Sequence, residues 1–130
     1  MEAVAIVAAL ALIEYFVLGV QVGQARGRYG VEAPATIGHP IFERHFRVHQ
    51  NTLEQLVIFV PALWMFATYV SAGIGAALGL VFIAARAIYA RGYVADPKQR
   101  STGALLTAIA NALLLLGGLI GALLHLMRGA

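Results

Sequence analysis

Apolar residues fall into four long runs along the chain, and short polar segments separate the runs. A helix needs about 20 mostly apolar residues to cross a hydrocarbon core about 30 Å thick. Each run, taken with its flanks, comes close to that length. The pattern therefore predicts an all-α membrane protein with a single transmembrane domain over residues 1–130. Its four spans are expected at about 3–25, 42–70, 74–93 and 102–127.

The composition is also that of a membrane protein. Apolar residues make up 61% of the chain and charged residues 12%, whereas soluble domains have about 45–50% and about 25%. Cysteine is absent, which excludes disulfides, thiolate metal sites and a cysteine nucleophile. The chain begins Met-Glu-Ala-Val without basic residues, so we expect no cleavable signal sequence. The basic residues are spread along the chain, so we expect no nucleic-acid partner.

The distribution of basic residues predicts an orientation. Eight of the nine lie near the first and third loops: Arg26, Arg28, Arg44, Arg47, Arg86, Arg91, Lys98 and Arg100. Loops that carry most of the lysine and arginine stay in the cytoplasm. We therefore expect loops one and three in the cytoplasm and both termini outside.

One face of the second predicted helix is polar. Arg44, Arg47, Asn51 and Glu54 follow one another at steps of three, four and three residues, which places them on one side of a helix. Inserting an ionisable group in a membrane span costs about 2.5–3.5 kcal/mol of free energy, so each such residue needs an explanation. One explanation is a helix end at the interface, with an internal pair between Glu54 and either Arg47 or Arg44.

A matching polar face closes the third predicted helix. Arg86, Tyr89 and Tyr93 are spaced by three and four residues, and Arg100 follows shortly before the fourth helix. The tyrosines alone also fit an aromatic belt at the membrane interface. Taken together, the two faces predict a pocket rich in guanidinium and phenol groups at the cytoplasmic end. Such a pocket suits a small ligand that carries carboxylates.

Other polar residues give weaker signals. His45 and His49 have the spacing of a zinc protease helix, but Phe46 stands where that motif needs glutamate, so no metal site is predicted. Glu14 lies inside the first span. It is either a proton-coupling carboxylate or a helix-contact residue partnered by Asn111 or a hydroxyl. Asn111 is expected to form an interhelical hydrogen bond.

Small residues recur at helix-packing distance. The pairs are Gly19 and Gly23, Gly75 and Gly79, and Gly117 and Gly121. Such pairs let helix backbones approach closely, so they are expected at helix contacts.

The chain contains three motifs in order: Gln21-Val22-x-x-Ala25-Arg26, Phe42-Glu43-Arg44-x-x-Arg47-x-x-x-Asn51-x-x-Glu54, and Ala85-Arg86-x-x-Tyr89-x-x-Gly92-Tyr93 continued to Arg100. Together they resemble the MAPEG family, the membrane-associated proteins in eicosanoid and glutathione metabolism. The resemblance runs from about residue 20 to 103. It is strongest to the subgroup that contains leukotriene C4 synthase and microsomal glutathione transferase 2.

This resemblance implies a four-helix left-handed bundle that assembles as a homotrimer. It implies glutathione as co-substrate, bound between neighbouring subunits near the cytoplasmic face. The residues carried over as glutathione ligands are Arg26, Arg47, His49, Asn51, Glu54, Arg86, Tyr89 and Tyr93. Arg100 matches the catalytic arginine that stabilises the thiolate.

The resemblance further implies a membrane-bound glutathione transferase, with glutathione-dependent peroxidase activity as a related possibility. The second substrate would be a hydrophobic electrophile or a lipid hydroperoxide that reaches the site from membrane lipid. Gln55 and Gly27 depart from the eicosanoid enzyme, which has tyrosine and arginine at these positions, so leukotriene synthesis is not expected. The chain therefore resembles a general bacterial-type member, in a bacterial inner membrane.

Two other function classes stay open at this point. One is a non-catalytic lipid-binding or scaffold protein of the same family, although such a protein has no need of a thiol-binding set. The other is a small multidrug transporter that uses Glu14. The dense arginine faces disfavour it, because they would repel cationic substrates.

Overall fold

The structure is a computed structural model that describes residues 1–129. It consists there of four long α-helices: α1 (Glu2–Tyr29), α2 (Pro40–Tyr69), α3 (Ala72–Ala95) and α4 (Ser101–Gly129). A short 3-10 turn, Pro97–Arg100, joins α3 to α4. Within residues 1–129 there is no strand. The predicted all-α class is confirmed, and each helix is long and apolar enough to cross a membrane.

Local signals fix where the helices begin and end. Gly30 adopts φ 67° and ends α1, a conformation that favours glycine, so α1 continues through the basic segment to Tyr29. His39 caps α2, because its Nδ1 accepts a hydrogen bond of 3.1 Å from the backbone nitrogen of Ile41. Ser71 caps α3 in the same way. The first loop is therefore confined to residues 30–39.

The apolar core occupies one half of the bundle. Phe59 of α2 and Phe82 of α3 are fully buried, and their rings stack with centroids 3.9 Å apart. Leu63 and Leu114 extend this core towards the end of the bundle that holds the N-terminus of α1. The opposite half holds the polar residues of α2 and α3, so the site forms at the end where the loop 30–39 lies.

Glycines lie at close helix contacts, as expected for most of the predicted positions. A Cβ at Gly79 would overlap Val7 of α1, and one at Gly121 would lie 2.8 Å from the carbonyl oxygen of Tyr69. Gly23 is an exception, because a Cβ there meets nothing within 4 Å in residues 1–129. Gly23 therefore makes no close helix contact within the described part of one chain, and a contact of Gly23 between protomers stays a prediction.

Large apolar side chains cover the outside of the bundle. Phe16 is 72% exposed and Trp64 56% exposed. Soluble monomers rarely expose so much apolar surface to water, whereas lipid-facing helix surfaces are apolar. The surface therefore agrees with insertion of all four helices in a membrane.

Candidate functional site

A cavity of about 520 Å³ lies where α2, α3 and the start of α4 meet. Six of the nine residues singled out in the sequence line it: Arg47, Asn51, Arg86, Tyr89, Tyr93 and Arg100. They come from two separate sequence motifs and from the turn before α4. The fold therefore brings both predicted polar faces into one site.

The charges of this cavity have one sign. Three guanidinium groups line it, together with two phenols, and none of its lining residues is a carboxylate. Guanidinium groups donate hydrogen bonds in a planar fork that matches carboxylates and phosphates. The site can therefore bind an anion that offers several hydrogen-bond acceptors.

Arg86 ties three helices together behind the cavity. Its side chain is only 1% exposed. Its Nη2 donates hydrogen bonds of 2.8 Å to Oδ1 of Asn51 and 2.9 Å to Oγ1 of Thr52, both on α2. Its Nη1 donates to Oγ1 of Thr107 on α4 over 3.4 Å. Its Cζ lies 4.3 Å from the ring centroid of Tyr89, which is a cation–π contact.

This network also orients the amide of Asn51. Because Oδ1 of Asn51 accepts from Arg86, the amide nitrogen keeps its donors for a ligand in the cavity. Arg86 therefore orients a donor of the cavity, the amide of Asn51, although its own guanidinium donates to protein acceptors.

The other two arginines of the cavity are less engaged. Nη1 of Arg100 donates to the carbonyl oxygen of Pro97 over 2.8 Å, and the side chain is exposed. Arg47 is exposed as well and is in no ion pair within residues 1–129. Both guanidiniums therefore keep free donors for an anionic ligand.

Close backbone contacts place Arg100 beside the tyrosines. A Cβ at Gly92 would lie 2.6 Å from the carbonyl oxygen of Gln99, and one at Gly103 would overlap the backbone of Tyr89. Only glycine permits these approaches, so the turn and the start of α4 press against the end of α3. Sequence reasoning did not single out Gly103.

Three predicted ligands lie outside this cavity. Arg26 donates to the carbonyl oxygen of Ala35 over 2.7 Å and sits 4.8 Å from the ring centroid of Phe42. The ring of His49 stacks on Tyr15 of α1, with centroids 4.2 Å apart. Glu54 is exposed on α2. Within one chain, the fold does not bring these three residues to the cavity.

The ion pair expected inside α2 is also wrong. The one ion pair in residues 1–129 joins the N-terminal ammonium and Glu2. Arg44 instead donates to the carbonyl oxygens of Val94 and Ala95, at 3.1 and 3.4 Å. It thereby satisfies the C-terminal end of α3, where a cation also complements the helix dipole.

Asn111 forms the predicted interhelical hydrogen bond. Its Nδ2 donates to Oε1 of Gln55 on α2 over 3.1 Å. Its partner is therefore Gln55, so the alternative that paired Asn111 with Glu14 is wrong. Gln55 and Thr107 both line the cavity and were missed. The signal for Thr107 was its position four residues before Asn111, on the same face of α4.

With this site described, the chain can be compared with known proteins. The sequence model of the MAPEG family matches residues 4–120. The chain belongs to the MAPEG family. The recognition of the family from its three motifs is thus confirmed.

Characterised relatives of this MAPEG protein have enzyme names. It is 45% identical to human microsomal glutathione S-transferase 2 over 82% of this chain and 71% of that protein. It is 36% identical to mouse leukotriene C4 synthase over 88% of this chain and 75% of that protein. An uncharacterized protein of Synechocystis is 44% identical over 95% of this chain and 90% of its own length. Family and hydropathy together identify an integral membrane protein.

Proposed function

We propose that this MAPEG protein is a membrane-bound glutathione transferase, which joins the sulfur of glutathione to a hydrophobic electrophile. The observation that carries the proposal is the cavity with three guanidiniums and no carboxylate among its lining residues. Its relatives named as a glutathione S-transferase and a leukotriene C4 synthase support the same class of reaction.

The chemistry of glutathione matches the donors of this cavity. Glutathione carries two carboxylates and one ammonium near neutral pH. Arg47 has a free planar fork for one carboxylate, and the amide nitrogen of Asn51 can donate to the same group. Tyr93 offers a phenol, with its ring 5.6 Å from that of Tyr89. In this proposal Arg86 acts mainly through the residues it holds.

Arg100 is the proposed catalytic residue. A free thiol has a pKa near 8.5, and only the thiolate attacks efficiently. A guanidinium close to the sulfur stabilises the thiolate, and arginine cannot lose its own proton to it. The thiol proton leaves to solvent, and the sulfur lone pair forms a bond to the electrophilic carbon. A leaving group departs with its electron pair, or an epoxide opens and takes a proton from water.

The ammonium of glutathione pairs best with a carboxylate, and none of the residues that line the cavity of one chain supplies one. We infer that the protein is a homotrimer, and that Glu54 of a neighbouring chain supplies this carboxylate. Arg26 and His49 would complete the site in the same way. An exposed carboxylate on a helix surface is costly at membrane depth unless another chain covers it. A subunit interface resolves both requirements.

Membrane lipid supplies the second substrate in this proposal. A hydrophobic electrophile or a lipid hydroperoxide partitions into the bilayer and reaches the sulfur from the lipid side. With a hydroperoxide, two glutathione molecules give an alcohol, water and glutathione disulfide. The basic residues near loops one and three favour a cytoplasmic position for the cavity, and we propose a bacterial inner membrane as the location.

A conjugation assay in detergent tests the proposal. The purified protein is incubated with glutathione and chlorodinitrobenzene, and the conjugate is followed by its absorbance, beside a cumene hydroperoxide assay. We expect turnover that depends on Arg100 and persists in Lys98→Ala, since Lys98 is exposed on the same turn and does not line the cavity. A folded protein that turns over neither substrate would favour the scaffold class. Proton-coupled export that depends on Glu14, without conjugation, would favour the transporter class.

A further inference from the structure

Two buried groups of opposite charge, one on α1 and one on α3, lack hydrogen-bond partners. They are Oε1 of Glu14 and Nε of Arg86, and neither has a partner within residues 1–129. Buried polar groups are nearly always hydrogen-bonded, and charged groups at membrane depth are especially costly when they are alone. Among residues 1–129, Oδ1 of Asn111 is a third buried atom without a partner. Glu14 and Arg86 are the two that can carry a charge, so they need an explanation.

The register of α1 against α3 places the two groups at the same level. Val7 of α1 packs against Gly79 of α3. Glu14 is seven residues after Val7, and Arg86 is seven residues after Gly79. Further along, Leu18 packs in a cluster with Tyr89 and Ala90. The two helices therefore run in parallel and in step, and Glu14 is opposite Arg86.

Glu14 and Arg86 thus lie at the same level on two packed helices, and each has a buried atom without a partner in the described part of the chain. They are not in direct contact, since the one ion pair within 4.0 Å in residues 1–129 involves the N-terminus and Glu2. Glu14 lines a groove beside α1 and α3, and two other cationic or titratable groups, His45 and Arg91, line this groove too. Both lie nearer the end of the bundle that holds the loop 30–39, so Arg86 is the cation at the level of Glu14.

We propose that Glu14 is the intramembrane counter-ion of Arg86 and a positioning residue for the cavity. Arg86 donates to Asn51 and Thr107 on α2 and α4, and Glu14 adds α1 to this set of contacts. Because Glu14 balances its charge, Arg86 keeps its hydrogen bonds to protein acceptors. Arg47 and Arg100 then bind the anionic groups of a ligand in the cavity. The identity of that anion as glutathione rests on the proposed function, but the pairing of charges does not.

This role predicts an unusual split between binding and turnover. When Glu14 is neutral, the uncompensated Arg86 becomes the strongest attraction for an anion in the cavity. Glutathione should then bind more tightly but in a displaced position, with its sulfur farther from Arg100. A residue that only supports the fold would weaken binding and turnover together.

Glu14→Gln tests the split, with Glu2→Gln as a matched control on the same helix. Glutathione binding is measured by calorimetry and kcat by the conjugation assay. We expect the Kd for glutathione to fall about threefold and kcat to fall at least about tenfold in Glu14→Gln. Glu14→Asp, which keeps the charge, should recover most of the turnover, and Glu2→Gln should behave as wild type. Equal weakening of binding and turnover, or no change in either, would overturn the positioning role.

A stability cycle tests the pairing without glutathione. Thermal unfolding in detergent is compared for Glu14→Gln, Arg86→Gln and the double variant. A counter-ion predicts that Glu14→Gln lowers the melting temperature in the wild-type background but much less in the Arg86→Gln background. Additive effects of the two changes would overturn the pairing. A wild-type protein that shows this coupling but binds no glutathione would contradict the proposed function and leave the pairing of Glu14 with Arg86 intact.

Infrared difference spectra of wild type and Glu14→Gln provide a measurement that does not require Arg86→Gln to fold. A counter-ion must be ionised, so the difference should contain a carboxylate band of Glu14. A protonated carboxyl band at neutral pH would overturn the proposal.

Discussion

Oδ1 of Asn51 lies 2.8 Å from Nη2 of Arg86, and this hydrogen bond joins the polar faces of α2 and α3. It holds the amide oxygen of Asn51 towards Arg86 and leaves the amide nitrogen free to donate to a ligand. It also places a buried cation directly behind a cavity that contains two further guanidiniums. The site is therefore a layered arrangement, with Arg86 as support and Arg47 and Arg100 as the accessible cations.

Arg100→Ala should separate thiolate formation from binding. Each unit of thiol pKa corresponds to about 1.4 kcal/mol of preferential thiolate stabilisation. We expect the pKa of bound glutathione to rise by about one unit or more, with a fall in kcat and a smaller change in Kd. The ultraviolet absorbance of the thiolate against pH measures this directly, with Lys98→Ala as control. An unchanged titration curve would remove Arg100 from the catalytic role.

Glu54→Gln should weaken binding with little effect on the chemical step. The contact between its carboxylate and the ligand's ammonium would be present equally in the ground and transition states. A hydrogen bond to a charged group contributes about 1.5–3 kcal/mol, so KM for glutathione should rise about tenfold or more while kcat stays within about twofold. Since Glu54 makes no ion pair within residues 1–129, the variant should keep its melting temperature. A large fall in kcat at unchanged KM would contradict this role.

Mixed trimers test whether two chains share one site. Glu54→Gln and Arg47→Ala chains are co-expressed with different tags and purified through both. The assay uses glutathione well below the raised KM, where each variant alone is poorly active. If Glu54 acts on the cavity of a neighbouring chain, some mixed interfaces combine an intact Arg47 with an intact Glu54, and activity should return in part. No recovery in a verified mixed oligomer would place both residues in the same chain's site. Cross-linking that yields only monomers or dimers would exclude the trimer.

Thr107→Val should destabilise the protein through Arg86. The change removes the acceptor for Nη1 of Arg86 and leaves a buried donor unpaired, at a cost of about 1–3 kcal/mol. Thr68→Val is the matched control. Both threonines donate to the carbonyl oxygen four residues earlier, but Thr68 is exposed. Thermal unfolding should show a clear loss for Thr107→Val only, and equal losses would contradict the role of the network.

Gly103→Ala should disturb both packing and the cavity. A Cβ at Gly103 overlaps the backbone of Tyr89, and overpacking costs about 1–3 kcal/mol. Gly73→Ala is the control, because a Cβ there meets only Oγ of Ser71 at 4.0 Å. We expect a lower melting temperature and weaker glutathione binding for Gly103→Ala. Wild-type values for both would mean that α3 and α4 can separate at no cost.

The helices and much of the cavity could be predicted because their signals are local. Hydropathy marks each span, and steps of three and four residues place Arg47 and Asn51, or Arg86 and Tyr89, on one face. These signals do not depend on how the helices pack. The motifs that identify the family lie on the same faces, which is why most of their residues meet in one cavity.

The remaining features depend on the register between helices that are distant in sequence. One explanation of the polar face of α2 paired Glu54 with Arg47 or Arg44, but the neighbour of Arg44 in the fold is the C-terminal end of α3. One alternative for Glu14 paired it with Asn111, but Asn111 bonds to Gln55. In both cases the partner is set by which turns of two helices lie side by side, and a single sequence does not contain that register.

If the cavity binds this anionic thiol, calorimetric titration of the purified wild-type protein with glutathione should show saturable binding. Binding should be strongly weakened in Arg47→Ala and unchanged in Arg128→Ala, since Arg128 lies at the far end of α4. A folded protein, verified by its thermal unfolding transition, that takes up no glutathione at millimolar concentration would show that the cavity is not a glutathione site.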